Sequence, residues 1–283
     1  MSKVIVLTDS TAYIPENLLT KFNIKTIPLT LIWGEETFQD GIDIQPDDFY
    51  KRLATAKQMP STSQPSPMTM KIEYEKLLEE GYEICGIFIS SKLSGTIHSS
   101  LQALDMIEKG KEKIEIIDSL STGMSMGFQA IATAKAAQNG ASLSECKSVA
   151  ETAKDNTGIL FVVDTLEFLH RGGRIGGAQR LLGTALNFKP ILELQDGKIE
   201  SVEKVRTKKK AYHRMLDLLV EKIGKAPNVH LASINANAES DANSLLKKAV
   251  EQINPIETVS SVLSPVIGTH VGPGTVGIAY MTG

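Results

Sequence analysis

The chain has 283 residues, of which 42% are hydrophobic and 22% charged, and its formal net charge is −3. That length suffices for one large domain or two ordinary ones, and the composition is typical of a soluble globular protein. The acidic balance argues against general nucleic-acid binding, which needs a basic excess. Cys85 and Cys146 match no disulfide or zinc spacing, and no apolar run is long enough to span a bilayer. We therefore expect a cytoplasmic protein with no metal, no cofactor and no stable membrane insertion, although transient contact with a membrane surface stays open.

Strand and helix patterns alternate through the first half of the chain. The segment 60–67 is rich in Pro and Ser, and it is predicted to be a loop. The alternation predicts a three-layer α/β domain with a mostly parallel sheet. Predicted strands cover 4–7, 26–33, 83–89 and 113–117, and predicted helices follow Pro15 and Pro46 and cover 70–80, 96–107, 127–138 and 143–154.

The second half contains a hairpin signal, Asp196-Gly197, between two apolar runs. A hairpin inside an α/β pattern implies a mixed sheet, so we predict a second α/β domain and place the boundary between 1–157 and 158–283. Predicted strands cover 159–163, 190–194, 199–205, 230–234, 257–263 and 276–281, and predicted helices cover 166–170, 178–186, 209–223 and 242–253.

Three polar segments, far apart in the chain, carry the strongest functional signal. They are Thr62-Ser63-Gln64-Pro65-Ser66, Ser94-Gly95-Thr96 and His270-Val271-Gly272-Pro273-Gly274. The second lies between a predicted strand and a predicted helix, where backbone N–H groups and hydroxyls attract anions. Taken singly, each segment has an ordinary structural role as a cap, a loop or a turn. Brought together by the fold, they would form a cradle for a small anion such as a carboxylate.

The segment Gly123–Gly127 matches the G-x-S-x-G pattern of serine hydrolases, with Ser125 as the nucleophile. Asp164 and His270 follow in the order of that class, so a serine hydrolase is the alternative function. Two observations weigh against it: the preceding strand ends well before Gly123, and no glycine-rich oxyanion segment lies upstream. The preferred interpretation is a helix start that packs closely against a neighbour.

Two further segments leave their roles open. The glycine cluster Gly172–Gly177 matches no nucleotide-binding pattern and is interpreted as a tight interdomain turn, from which Arg171 and Arg174 are able to reach an anion. A basic run opens the helix predicted over 209–223, where cations oppose the helix dipole. That run is either a docking patch for an acidic or phosphate-bearing partner or a solvated surface, and its members are Lys204, Arg206, Lys208, Lys209 and Lys210.

As a set, these motifs resemble the DegV family of bacterial fatty-acid-binding proteins, and the resemblance covers the whole chain. Each motif alone is weak, and the combination is specific. The matching segments are Thr8-Asp9-Ser10, Ser61-Thr62-Ser63-Gln64-Pro65, Ser90-Ser91-Lys92-Leu93-Ser94-Gly95-Thr96, Asp118 with Ser125-Met126-Gly127, Leu169-His170-Arg171-Gly172-Gly173-Arg174 and His270-Val271-Gly272-Pro273-Gly274.

The resemblance implies a non-catalytic carrier that holds one long-chain fatty acid between its two domains. The carrier would present the carboxylate to a separate ATP-dependent fatty acid kinase subunit, which makes the acyl phosphate. Ser125 would then be structural or line the tunnel. The carboxylate-site residues implied are Thr62 and Ser94, with Gly95, Thr96, His270 and Arg171 in support. The docking residues implied are Arg206, Lys208 and Lys209. Candidates for the tunnel wall are Met124, Met126, Phe128, Leu182 and Phe188, which serve equally well as core residues.

Overall fold

The protein is described by a computed structural model over residues 3–183 and 188–283, and within these ranges it forms thirteen strands and ten α-helices. The strands are β1 (Lys3–Asp9), β2 (Lys25–Ile27), β3 (Thr30–Trp33), β4 (Glu36–Gln39), β5 (Ser61–Ser63), β6 (Tyr82–Phe88), β7 (Ile114–Asp118), β8 (Thr157–Val162), β9 (Lys189–Gln195), β10 (Lys198–Val205), β11 (His230–Asn235), β12 (Glu257–Val262) and β13 (Val276–Met281). The helices are α1 (Glu16–Phe22), α2 (Pro46–Leu53), α3 (Pro67–Glu79), α4 (Thr96–Asp105), α5 (Gly123–Gln138), α6 (Leu143–Asp155), α7 (Glu167–Arg171), α8 (Lys208–Ile223), α9 (Glu239–Ile253) and α10 (Pro265–Val271).

The first sheet is parallel and has the strand order β2-β1-β6-β7. Along β1, Val4 and Val6 belong to the core cluster that contains residues of α5, whereas Ile5 and Leu7 pack with residues of α3. Both faces of the strand are therefore buried, which explains why it reads as a continuous apolar run rather than as an alternating pattern. Beyond the carboxyl ends of these strands, Asp9 accepts the Ile89 N–H and the Ser121 carbonyl accepts the Ser90 N–H, which joins the segments after β1, β6 and β7.

The second sheet has six strands in the order β10-β9-β8-β13-β11-β12. Only β11 and β12 pair in parallel, so the predicted mixed sheet is confirmed. The hairpin turn is also confirmed: Asp196 and Gly197 both have positive φ, 49° and 79°, as a type I′ turn requires. Helices α8 and α9 cover one face of this sheet, and α5 contacts β8 and β13.

A small antiparallel sheet, β4-β3-β5, corrects the prediction for 60–67. Ser61–Ser63 is a short strand rather than loop, and its register pairs Leu31 with Thr62. Three consecutive Ser and Thr residues show no hydrophobic periodicity. The strand forms because this segment pairs with the edge of β3. Strand β4 was not predicted either, and it follows β3 through a turn at Gly34.

Helix α10 is the second correction, because the sequence predicted only a turn around His270. The helix begins with Pro265 after Ser264 and carries His270 in its last turn. Its first turn is held by a distant residue: Asp40 accepts hydrogen bonds from the Ser264 hydroxyl and from the backbone N–H of Val266 (3.1 Å). The Tyr13 hydroxyl oxygen accepts the backbone N–H of Ile267. Asp40 and Tyr13 are far from α10 in the sequence, so the local sequence does not indicate that they hold the helix.

The predicted α/β class with two domains is confirmed, and β8, the first strand of the mixed sheet, begins at Thr157. The boundary between 157 and 158 stays a prediction. Helix α5 begins at Gly123, four residues before the predicted start. Where 178–186 was predicted to be helical, a 3₁₀ helix covers Gly176–Leu181, and 184–186 lies outside the described residues.

None of the described helices combines the length and the apolar character needed to cross a membrane. Over residues 3–183 and 188–283, no group of three or more His, Cys, Asp or Glu side chains is arranged to hold a metal ion.

Candidate functional site

A cavity is lined by residues that follow β6 and β7 and by residues of the mixed sheet, so both halves of the chain contribute its walls. The empty space among the lining atoms is about 800 Å³, its open mouth included. Most of the wall is aliphatic or aromatic: Leu29, Ile89, Leu93, Ile159, Phe161, Leu169, Leu194, Ile199, Ile234, Leu263, Val266, Ile267 and Val271. The polar lining is Thr62, Ser63, Gln64, Ser94, Thr122, Arg174, His270 and Thr275.

Two of the three polar segments meet through one hydrogen bond. Oγ1 of Thr62, on β5, lies 2.8 Å from Nε2 of His270, at the end of α10. Strand β5 is placed by its pairing with β3, and α10 is placed by Asp40 and Tyr13. The contact therefore depends on several distant parts of the chain at once.

His270 is buried, and its pKa is lowered from 6.5 to about 4, first by desolvation and second by the positive charge of Arg174. The imidazole is therefore neutral at pH 7 and able to donate only one hydrogen bond. Within the described part of the chain its Nδ1 has no hydrogen-bond partner and is shielded from solvent.

Ser94 brings the third segment to the same cavity, in the turn between β6 and α4. Its hydroxyl oxygen lies 2.9 Å from Oγ1 of Thr96 and accepts the Thr96 backbone N–H at 3.3 Å. Gly95 approaches the Gln64 side chain so closely that a Cβ would overlap it. Gly95 and Thr96 themselves do not line the cavity, and their place behind Ser94 suits positioning rather than direct ligand contact.

The arginine that reaches the cavity is Arg174, not Arg171. Arg171 is exposed and pairs with Glu167 at 2.5 Å, one turn back on α7. Helix α7 ends in a Schellman motif: Gly173 has φ +71°, and the Arg174 N–H bonds to the Leu169 carbonyl. This reversal directs Arg174 into the cavity. The two glycines before Arg174 are the sequence signal for that reversal.

Backbone carbonyls hold the Arg174 guanidinium in place. Its Nε donates to the Leu93 carbonyl (3.0 Å) and its Nη1 donates to the Gly172 carbonyl (2.6 Å). No carboxylate is paired with Arg174 among the described residues, so its charge is available to an anion in the cavity.

The hydrolase triad does not form. His270 bonds to Thr62, and the Oγ of Ser125 is buried on α5 with no hydrogen-bond partner in the described ranges. Asp164 instead accepts a hydrogen bond from Nζ of Lys189 at 3.0 Å. Without contacts among the three residues, there is no base to activate the serine.

The tunnel candidates also lie elsewhere. Met124, Met126 and Phe128 are buried core residues on α5, and none of them lines the cavity. Leu182 and Phe188 line a separate, open groove beside α7. The apolar wall comes instead from residues of the mixed sheet such as Ile159, Phe161 and Ile234, which sequence periodicity identifies only as core. Their shared place in one cavity wall becomes visible only in the fold.

The basic run lies on the surface at the junction of β10 and α8. Arg206 and Lys209 are exposed. Lys208 is less exposed and forms ion pairs with Asp241 (3.1 Å) and Asp164 (3.7 Å). Of the three predicted docking residues, Lys208 is thus already paired with carboxylates of its own chain.

A family model described as "Uncharacterised protein, DegV family" matches residues 3–283. A DegV domain-containing protein of Clostridium acetobutylicum is 40% identical over 279 residues, covering 98% of this chain and 97% of that protein. Protein DegV of Bacillus subtilis is 35% identical over 281 residues, covering 98% of both chains.

Solved structures show the same fold. A DegV family protein from Thermus thermophilus, described as fatty acid binding, superposes with a TM-score of 0.92 at 29% identity and 99% coverage of both chains. DegV of Bacillus subtilis, described as a fatty acid binding protein, superposes with a TM-score of 0.90 at 33% identity and full coverage of both chains.

Proposed function

Because the chain belongs to the DegV family, we propose that it binds one long-chain fatty acid in the cavity described above. The carboxylate lies among Thr62, Ser94, His270 and Arg174, and the tail runs along the apolar wall. The observation that carries the proposal is the composition of this one cavity, in which aliphatic walls adjoin a small polar group that includes an arginine.

The polar group suits a carboxylate on electrostatic grounds. A buried carboxylate needs hydrogen-bond donors and an opposite charge, because desolvation otherwise makes ionisation costly. The hydroxyls of Thr62 and Ser94 supply donors, and Arg174 supplies the charge. Gly95 and Thr96 act indirectly in this arrangement, by holding Ser94.

The tail supplies most of the affinity. Each buried methylene contributes about 0.8 kcal/mol, so a dozen contribute on the order of 10 kcal/mol before association costs. One neutral hydrogen bond contributes about 1 kcal/mol. The polar end therefore selects an acid and fixes its direction more than it sets the overall affinity.

We also propose that the protein is a non-catalytic carrier, which presents the bound carboxylate to a separate ATP-dependent fatty acid kinase subunit. Two points support this: the resemblance in sequence to acyl-carrying subunits, and the exposed cations Arg206 and Lys209. Lys208 contributes less to docking in this proposal, because Asp241 already pairs with it.

A comparison of ligand head groups tests the binding proposal. Delipidated protein is titrated with a long-chain fatty acid, with its methyl ester and with the alcohol of equal length, by calorimetry. The acid should bind at least about tenfold more tightly than the ester, since the ester loses the charge that Arg174 complements. Equal affinities for acid and ester would contradict the carboxylate assignment, and no binding of any of the three would contradict the function.

A further inference from the structure

We propose that Gly172 is a positioning residue for the polar end of the cavity: its missing side chain admits the His270 imidazole, and its Cα–H fixes the ring tautomer. The tautomer is a property of the ligand-free protein. Its consequence for fatty-acid binding rests on the proposed function.

The geometry that carries the inference is the close approach of α7 and α10. Gly172 ends α7 with φ −74° and ψ −8°, a conformation open to any residue. The glycine is therefore not required by the backbone. It is required by space, because a Cβ at this position would overlap Nδ1 of His270.

The same approach decides which ring nitrogen carries the proton. One Cα–H of Gly172 occupies the direction of the missing Cβ, so its hydrogen lies in contact with Nδ1. A nitrogen lone pair tolerates a C–H at this range, as in weak C–H hydrogen bonds, whereas an N–H hydrogen would collide with it. A protonated Nδ1 would also be a buried donor without a partner among the described residues, and that is costly. The proton therefore resides on Nε2.

This tautomer sets the direction of the hydrogen bond to Thr62. Nε2–H donates to Oγ1 of Thr62 over the 2.8 Å contact. The Thr62 hydroxyl hydrogen is then free to point into the cavity, toward an acceptor. With the other tautomer Thr62 would donate to Nε2 and would present only lone pairs to a carboxylate. Gly172 thus converts Thr62 into a donor for an anion.

Gly172 is held rigidly enough for this role. Its N–H donates to the Phe168 carbonyl at 2.9 Å, and its own carbonyl accepts Nη1 of Arg174 at 2.6 Å. The residue that seats the imidazole therefore also anchors the cation that faces the ligand.

The test begins with ring-nitrogen NMR spectra of the uniformly ¹⁵N-labelled, ligand-free full chain at pH 7. The chain has five histidines, and His270→Gln assigns the signals by removing one set. In the wild type, His270 should show a protonated Nε2 and an unprotonated Nδ1. A protonated Nδ1 would overturn the proposal.

A double-mutant cycle then tests the spatial argument with the variants Gly172→Ala, His270→Ala and the double variant. Alanine at 172 should destabilise the wild type strongly, and it should do so far less once the imidazole is gone. If Gly172→Ala fails to fold, the double variant should fold, because the clash has been removed. Additive effects, or a double variant that also fails to fold, would overturn the proposal.

Gly177→Ala is the matched control. There the three atoms nearest to a Cβ all belong to the flexible carboxylate of Glu200, which is able to move aside. Gly172→Ala should weaken binding of a long-chain fatty acid about tenfold, the loss expected for a hydrogen bond to a charged group, and Gly177→Ala should leave it unchanged. Equal effects of the two substitutions would contradict the positioning role. A wild type that binds no fatty acid would defeat the proposed function, and the spectra and the cycle would still decide the role of Gly172.

Discussion

Thr62 and His270 are 208 positions apart in the chain, yet Oγ1 of one lies 2.8 Å from Nε2 of the other. The contact joins β5, in the small antiparallel sheet, to helix α10, which follows β12. It fixes two of the four groups that surround the carboxylate in the proposed function, Thr62, Ser94, His270 and Arg174.

Removing the Thr62 hydroxyl should weaken both ligand binding and the fold. Thr62→Val keeps the shape but leaves Nε2–H of His270 unpaired, which costs about 1–3 kcal/mol of unfolding free energy. Fatty-acid affinity should fall about tenfold or more. Thr258→Val, on the exposed face of strand β12, is the matched control and should change neither quantity. Urea unfolding and calorimetric titration measure the two effects, and unchanged affinity in Thr62→Val would contradict the assignment.

Ser94→Ala should separate ligand contact from local hydrogen bonding before α4. Ser94 precedes Gly95, the N-cap of α4, and its hydroxyl accepts the Thr96 N–H, a hydrogen bond whose loss costs about 0.5–1.5 kcal/mol. Ser66 is the N-cap of α3, outside the cavity lining, and loss of its hydrogen bond from the Thr69 N–H costs about 0.5–2 kcal/mol. Both alanine variants should therefore lose similar stability, but only Ser94→Ala should bind fatty acid about fivefold less tightly. Equal affinities in the two variants would assign Ser94 a structural role alone.

His270 should make the fold sensitive to acid. Burial lowers its pKa from 6.5 to about 4, so between these values the unfolded chain binds a proton that the folded chain does not. This contribution to stability is complete above pH 6.5 and is lost as the pH falls toward 4, in total about 3 kcal/mol.

Comparison with His270→Gln isolates that contribution. Burial also raises the pKa of Asp9 to about 6, which has the opposite dependence on pH, but Asp9 is present in both proteins and its effect cancels. The difference in unfolding free energy between wild type and variant should shrink by about 3 kcal/mol from pH 7 to pH 4. A difference that does not vary with pH would show that His270 titrates normally.

Asp40 should be needed to hold α10, and with it His270. Asp40→Ala leaves the buried Val266 N–H without its acceptor, at about 1–3 kcal/mol, whereas the Ser264 hydroxyl keeps the Tyr13 hydroxyl oxygen as an alternative acceptor. Hydrogen exchange at the α10 amides should accelerate, and fatty-acid affinity should fall. Asp43→Ala removes an exposed carboxylate that accepts the Gln39 N–H, and it serves as the control. Unchanged hydrogen-exchange rates at the α10 amides in Asp40→Ala would show that Asp40 does not hold this helix.

Charge reversal on the basic run should impair transfer to a kinase and spare fatty-acid binding. The variant Arg206→Glu/Lys209→Glu should lose most acyl phosphate formation with a cognate kinase subunit, and the loss should be smaller at high salt because the attraction is already screened there. Lys109→Glu/Lys113→Glu, with two exposed lysines in the other half of the chain, is the control. Equal turnover by both double variants would place docking elsewhere.

The fold was predictable where the chain repeats a local pattern. The βα alternation and the Asp196-Gly197 turn each follow from local chemistry, and the structure contains them. Strand β5 and helix α10 were not predicted, because three hydroxyl residues and a seven-residue helix are too short to show a hydrophobic periodicity. Their placement depends on β3 and on Asp40, which are distant in sequence.

The candidate site was predictable in its polar part only. Thr62, Ser94 and His270 stood out because hydroxyls and a histidine in rigid, small-residue segments are conspicuous. Arg171 and Arg174 were indistinguishable until the Schellman reversal at Gly173 separated them. The apolar wall was not predictable. Ile159 and Phe161 line the cavity, but their apolar pattern in the sequence is the same as that of residues in a packed core.

The most direct test of the central claim is the lipid content of the purified protein. The protein is extracted with organic solvent, the extract is analysed by mass spectrometry, and the delipidated chain is titrated with long-chain fatty acids. We expect one long-chain fatty acid per chain, recovered in the extract or bound on titration. No fatty acid in the extract, together with no binding of added fatty acid, would contradict it.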